Sequence, residues 1–279
     1  MRNHSSYGTH AKEVAGKPEL SSVAMKTPAP TPAWYEAWFD SPHYHELYGH
    51  RSEAEARDFM SNLHEKWDWK ELHLLDLACG KGRHARAAAD LGHRVVGLDL
   101  SRNSIQSARA AHAQVAHLSF VEGDMRTFEL DEKFDGVLNL FTSFGYFDDP
   151  ADHVAVLNRI AAHLKPGGFL ILDFLETHFA KRHLSPSDTL VRSGVEYHIS
   201  RELKAGENGK WDTFIKHIRH QEDGQWQEHV ERVAALTYAH LSDMLTNSGF
   251  EIEERFGTYR LDPWVEGETP RIILHATKA

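Results

Sequence analysis

Three acids set the chemistry of this chain. Asp76 lies in the run Leu74-Leu75-Asp76-Leu77-Ala78-Cys79-Gly80-Lys81-Gly82-Arg83-His84-Ala85, four residues ahead of the first of two closely spaced glycines. A pyrophosphate favours an uncluttered helix N-terminus, and a carboxylate beside the turn repels it. An ammonium or sulfonium group is instead attracted. Asp99 closes His93-Arg94-Val95-Val96-Gly97-Leu98-Asp99-Leu100-Ser101, and Asp124 stands in Glu122-Gly123-Asp124-Met125. An acid at an exposed strand tip can accept both hydroxyls of a ribose. Asp99 and Asp124 also have plainer roles: a carboxylate at a helix start is favoured by the dipole, and a Gly-Asp pair forms turns. Gly80, Gly82 and Ala85 also satisfy a relaxed dinucleotide fingerprint, with Asp99 at about the expected spacing. A ligand-free structural turn is a third reading.

The elements that must position these residues follow from patterning. Apolar Leu74–Leu77 breaks at the glycines and continues into an alanine-rich helix, the strand-to-helix turn where open α/β sheets bind ligands. A second strand ends at Asp99, and Ser101 is placed to cap the next helix. Leu118–Val121 reads as a third strand and Phe134–Leu140 as a fourth. Lys165-Pro166-Gly167-Gly168 is a helix stop and turn, and the apolar run Phe169–Phe174 suits a strand buried on both faces. Asp173 at its tip either faces substrate or caps a loop.

Here the chain resembles the class I S-adenosylmethionine-dependent methyltransferases, whose first motif reads acid-x-x-x-Gly-x-Gly. S-adenosylmethionine carries an ammonium and a sulfonium and no phosphate. The resemblance covers about residues 34–279 and looks closest to bacterial small-molecule methyltransferases of undefined substrate. It implies an α/β fold: a Rossmann-like seven-stranded methyltransferase sheet with an antiparallel final strand, plus a small antiparallel β insertion after strand five. It implies that Asp76, Ala78, Cys79, Gly80, Gly82, Arg83, Asp99, Leu100, Asp124, Met125, Asn139 and Leu140 bind the cofactor, joined by Tyr44 and Arg51 from an N-terminal aromatic segment. Enzymes that methylate DNA base amino groups or protein glutamine usually carry Asn/Asp-Pro-Pro-Tyr/Phe after strand four. This chain has Asn139-Leu140-Phe141-Thr142, which disfavours those substrates.

The expected reaction is in-line methyl transfer to a small-molecule acceptor. The alternatives are an RNA or protein methyltransferase and a non-catalytic cofactor-binding scaffold. A general base is needed only if the nucleophile arrives protonated; Tyr44, Tyr48 and His84 are the catalytic candidates.

The remaining sequence bounds the setting. The chain has 279 residues, a formal charge of −10 and a single cysteine, Cys79. No intrachain disulfide is possible, and broad contact with nucleic-acid phosphates is disfavoured. No apolar stretch approaches a membrane span or a signal-peptide core, so a cytoplasmic enzyme is expected, with a homodimer as one assembly. Residues 1–33, with one aromatic and clustered prolines, read as a disordered tail before a single domain, 34–279. Met25 is a candidate alternative translation start, which sequence alone does not decide. Ser52 and Glu55 make a capping-box pattern. The insertion, about 190–236, alternates as three strands and forms either a lid over the acceptor or a dimer contact. A helix over about 237–248 and strands over 252–259 and 271–276 complete the sheet. Among 21 histidines, the pairs His43/His45 and His217/His220 come nearest to a metal pattern, yet neither joins a carboxylate or cysteine at zinc spacing. No metal is expected.

Overall fold

The computed structural model describes Met1 and residues 33–49, 52–207 and 210–279. Residues 2–32 of the expected tail, Arg51 and part of the turn at Gly206–Gly209 lie outside the described residues.

Three helices open the chain: α1 (Trp34–Phe39), α2 (Pro42–Tyr48) and α3 (Glu53–Lys66). The Ser52 hydroxyl accepts from the Ala54 and Glu55 amides and starts α3. A Rossmann-like alternation follows: β1 (His73–Leu77), α4 (Arg83–Asp90), β2 (Arg94–Asp99), α5 (Arg102–Ala111), β3 (Leu118–Glu122), β4 (Phe134–Asn139), α6 (Pro150–His163) and β5 (Leu164–Leu175). Ser101 caps α5 through the Ser104 amide, and Asp149 caps α6 ahead of Pro150. After α7 (Thr177–Arg182) come β6 (Ser187–Arg192), β7 (Val195–Lys204), β8 (Thr213–Glu222) and β9 (Gln225–Ala234). The chain closes with α8 (Tyr238–Asn247), β10 (Phe250–Phe256) and β11 (Arg271–Lys278).

The large sheet has the order β10-β11-β5-β4-β1-β2-β3. β1 to β5 run parallel, and β11 inserts antiparallel between β5 and β10. Period-two alternation sends Leu75, Leu77, Val96, Leu98 and Val137 to one face, where they meet Val156, Leu157 and Ile160 of α6 and Leu241 of α8. Leu74, Val95 and Leu138 face the other way, against Phe59, Met60 and Leu63 of α3 and Ala85 and Ala88 of α4. Helices on both faces leave the C-terminal tips of the parallel strands as the open edge.

The small sheet, β6-β7-β8-β9, is antiparallel throughout. Its inner face buries Tyr197, Ile199 and Ile218 against Trp38 and Leu47 of α1 and α2. It therefore forms a backing for the N-terminal helices.

Two differences from the sequence reading have physical causes. The insertion has four strands, because Ser187–Arg192 joins as an edge strand whose residues are half-buried at best and carry no apolar alternation. The Lys165–Gly168 turn lies inside β5 as a bulge: pairing with β4 jumps from Phe134↔Leu164 to Gly136↔Phe169, and Gly167 takes φ 70°.

Candidate active site

A cleft of about 610 Å³ opens over the tips of β1, β2 and β4. Its floor begins at the glycine turn. Ala78, Gly80 and Gly82 all take positive φ, at 62°, 56° and 81°. A side chain on Gly80 would meet nothing within 4 Å, so its backbone is open to a ligand. Gly82 is different: a Cβ there would sit 2.5 Å from the Phe120 ring, so this glycine is required by packing. Gly82 is buried and does not line the cleft.

Asp76 is 2% exposed, and its carboxylate accepts from the Ala85 amide at 3.0 Å. Burial pushes its pKa up to about 7; the nearby Asp99 charge adds to this, while the Ala85 amide and Arg83 oppose it. Asp99 accepts from the Gly80 amide with one oxygen and from the Ser101 amide with the other, both at 2.8 Å. Burial raises its pKa too, against those two bonds. Asp99 is therefore a brace between the glycine turn and α5: it serves the helix start, one of its two sequence readings, and holds Gly80 as well. Cys79 is buried, and burial raises its thiol well above the ordinary value, which keeps it a protonated packing group.

Asp124 lines the cleft beside Gly123 and Met125. Arg126 pairs with it at 2.6 Å, and these hydrogen bonds outweigh burial and hold the Asp124 pKa down. Arg126 also reaches Asp152 at 3.2 Å and sits 4.9 Å over the Phe147 ring.

Beyond β4, Phe141 and Thr142 hold φ of 62° and 59°, a conformation that non-glycine residues adopt only when their surroundings impose it. Asp173 does so. Its carboxylate accepts from the Phe141 amide at 2.7 Å and its carbonyl from the Thr142 amide at 3.0 Å. Arg271 pairs with Asp173 at 2.6 Å and reaches the Thr142 hydroxyl at 2.9 Å, and the Tyr259 hydroxyl donates to Asp173 at 3.0 Å. Asp173 is fully buried, so of its two roles the structure gives the loop-holding one. Asn139 is also fully buried, its amide donating to the Leu77 carbonyl, and is not part of the cleft wall.

One wall is aromatic. Tyr35, Phe39, Tyr44 and Tyr48 from α1 and α2 face Tyr146 and Phe147. Phe39 lies 5.1 Å from Tyr44 and 4.9 Å from Tyr146, centroid to centroid. The Tyr48 hydroxyl donates to the Glu231 carboxylate at 2.7 Å. Lys216 donates to the same hydroxyl and to Glu231, the latter at 3.1 Å, and the Trp38 indole N–H reaches Glu231 at 2.8 Å. Asp40, at the end of α1, accepts from Ser101 and Asn103 of the α5 start, which ties this wall to the β2 tip.

Of the residues expected at the site, Asp76, Ala78, Cys79, Gly80, Arg83, Asp99, Leu100, Asp124, Met125, Leu140, Tyr44, Tyr48 and His84 all line the cleft. Sequence reasoning missed Lys216, Glu231 and Trp38. Lys216 and Glu231 lie on one face of a β8–β9 pair, registered opposite each other, and nothing local marks them.

The buried carboxylate of Asp76, beside a glycine backbone open to approach, fits a cationic cofactor and not a pyrophosphate. A profile described as a methyltransferase domain matches residues 74–168. A dTDP-3-amino-3,6-dideoxy-alpha-D-glucopyranose N,N-dimethyltransferase of Streptomyces fradiae is 27% identical over 212 residues, 75% of this chain and 81% of that protein. The dTDP-3-amino-3,4,6-trideoxy-alpha-D-glucopyranose N,N-dimethyltransferase of Streptomyces venezuelae is 29% identical over 207 residues, 72% of this chain and 84% of its own. An S-adenosylmethionine-dependent methyltransferase structure from Clostridium acetobutylicum superposes with a TM-score of 0.70 at 17% identity, over 85% of this chain and 97% of that one, a likeness of fold. The acid–glycine turn, the strand order with its antiparallel β11 and these relatives converge: the chain is an enzyme that uses S-adenosylmethionine and belongs to the class I S-adenosylmethionine-dependent methyltransferases.

Proposed function

We propose that this enzyme methylates the amino group of a small-molecule acceptor, with an amino sugar as the first class to test. The observation that carries the proposal is the Tyr48–Glu231–Lys216 cluster, whose Tyr48 lines the cleft. An amine arrives as an ammonium and must lose a proton before it can attack. Tyr48 takes that proton on its oxygen while its own hydroxyl proton passes to Glu231, and Lys216 holds both partners in place. Aromatic faces also suit cationic groups. The two relatives described above act on amino sugars, by their names.

S-adenosylmethionine supplies a methyl already activated on a cationic sulfur. The residues bind and orient. Asp76 faces the cationic amino acid end, Asp99 offers its remaining lone pairs to the ribose hydroxyls, and Leu100 and Met125 flank the adenine, with Asp124 at its edge. Tyr44 and Tyr48 close over the methionine end and keep water out. Holding the nucleophile in line with the breaking bond can supply several kcal/mol of the barrier reduction, up to about 7–11.

The methyltransferase domain is proposed to start at about residue 34. The described residues contain no helix long and apolar enough to cross a membrane. With the charge of −10, a cytoplasmic enzyme that does not bind nucleic acid is proposed. The experiment is methyl transfer from labelled S-adenosylmethionine to a panel of amino sugars and their nucleotide-linked forms, beside hydroxyl-bearing analogues. Transfer to amines alone supports the proposal. Transfer to the hydroxyl analogues, or to RNA or protein in a parallel assay, refutes it.

A further inference from the structure

Behind the aromatic wall, the inner face of the small sheet carries a knot of imidazoles. His220 and Glu222, two apart on β8, point to the same face because strand side chains alternate. His229 of β9 is registered across from Ile218 and shares that face. α2 lays His43 against them: its ring centroid lies 3.8 Å from that of His220 and 6.0 Å from that of His229. His220 is fully buried, and neither of its ring nitrogens has a hydrogen-bond partner. His229 Nε2 is buried and unpartnered as well. Buried polar atoms are nearly always satisfied, so the orphan nitrogens of His220 call for a partner, and unlike those of buried His153 they stand among other donor atoms. One donor atom from each of His43, His220 and Glu222 lies within 4.8 Å of the other two.

We propose that His43, His220 and Glu222 bind a divalent transition-metal ion of the zinc class, joining α2 to β8. Two imidazoles and one carboxylate are a donor set that zinc accepts, with water in a fourth position. Drawing the donors onto one ion requires side-chain rotation in half-buried His43 and exposed Glu222. His43 Nδ1 lies 3.0 Å from the Tyr197 hydroxyl. Donating its N–H there fixes the ring and leaves the Nε2 lone pair for the metal. His229 stands behind His220, stacked on Trp38 at 4.4 Å. The other acidic grouping, Glu176, His178 and Glu266, has no such orphan: Glu176 accepts from the Phe179 amide at 2.6 Å, and His178 pairs with Glu266 at 3.2 Å. The sequence pairs His43 with His45 and His217 with His220; the fold pairs His43 with His220 across α2 and β8. The proposed ion is structural. It pins the helix that carries Tyr44 and Tyr48, and it takes no part in methyl transfer.

The test uses the full untagged chain, stripped with chelator and titrated with Co²⁺ and Zn²⁺. One equivalent of Co²⁺ should give the intense visible bands of a tetrahedral site, bleached by Zn²⁺. Zn²⁺ at about a hundredfold excess over its Kd should raise Tm by roughly 5–10 °C. Glu222→Gln and His43→Gln should each weaken Zn²⁺ binding roughly tenfold or more and abolish that rise, while the metal-free melting temperature stays near the parent value. His220→Ala serves as a third variant if either of these unfolds. The proposal is overturned if Zn²⁺ leaves the parent Tm unchanged. It is equally overturned if the variants bind Co²⁺ with the parent spectrum and affinity, which places the ion on other histidines.

Discussion

Replacing Asp99 by alanine separates a ligand-binding acid from a helix-start acid, because Asp99 both lines the cleft and holds two backbone amides. Its two oxygens each accept one backbone N–H at 2.8 Å, from Gly80 and Ser101. Leaving a buried donor without a partner costs about 1–3 kcal/mol. Gly80 lines a cleft that water can enter and takes the lower end, about 1 kcal/mol, whereas Ser101 is buried and takes about 1–3, for about 2–4 kcal/mol in all. For a domain of this size, each kcal/mol moves Tm by about 2–4 °C, and the apo variant should therefore melt about 4–16 °C below the parent. Losing a charge-assisted bond to the ribose removes a further 1.5–3 kcal/mol of binding, roughly ten- to hundredfold in Kd. Calorimetric melting of the apo proteins gives the first number and titration with S-adenosylmethionine the second. An alanine variant that melts with the parent and binds within threefold refutes both roles. One that melts low but binds normally leaves Asp99 as a brace alone.

Three further outcomes are expected. Arg271→Ala strands the fully buried Asp173 carboxylate and should cost about 3–5 kcal/mol; denaturant unfolding that shows less than 1 kcal/mol contradicts the clamp. Asp76 has its folded pKa raised to about 7 from 3.8, so its contribution to apo stability is full below about pH 4 and is lost as pH rises to about 7. Asp76→Asn should flatten that slope, and S-adenosylmethionine binding near the folded pKa should release a proton, read as a buffer-dependent binding enthalpy; no buffer dependence contradicts the charge pairing. Glu231→Gln removes the proton's destination from Tyr48 and should lower kcat at least tenfold, with cofactor Kd within about twofold; a change confined to KM points to positioning only.

How much was legible in the sequence depended on how local the contacts are. The glycine turn, the acids at strand tips and the caps at Ser52 and Ser101 each lie within a few residues of what they serve, so spacing reveals them. The loop after β4 was not legible, since its shape is imposed by Asp173 and Arg271 from other strands. Gly82 reads as a ligand-facing glycine, yet Phe120 of β3 sets it. The insertion's alternation was visible, but the partner of its inner face was not. That face seats α1 and α2, and the Ala234 amide also donates to the Gly145 carbonyl at 2.8 Å, so the insertion supports both walls of the cleft. Lys216 and Glu231 are ordinary strand charges until Tyr48 arrives from far away in the chain.

The Asp173–Arg271 pair also has a consequence for how the protein comes off the ribosome. The floor of the cleft is complete once β1 to β5 have been made, but the strained turn at Phe141 and Thr142 waits for Tyr259 and Arg271, which lie close to the C-terminus. The first helices likewise find Glu231 only after most of the chain has emerged. Contacts this distant are slow to close. A chain stalled before β11 holds a glycine turn and its acids with the loop after β4 still unclamped, so cofactor capture becomes a late event of synthesis, and ribosome-released fragments ending before Arg271 should fail to retain S-adenosylmethionine.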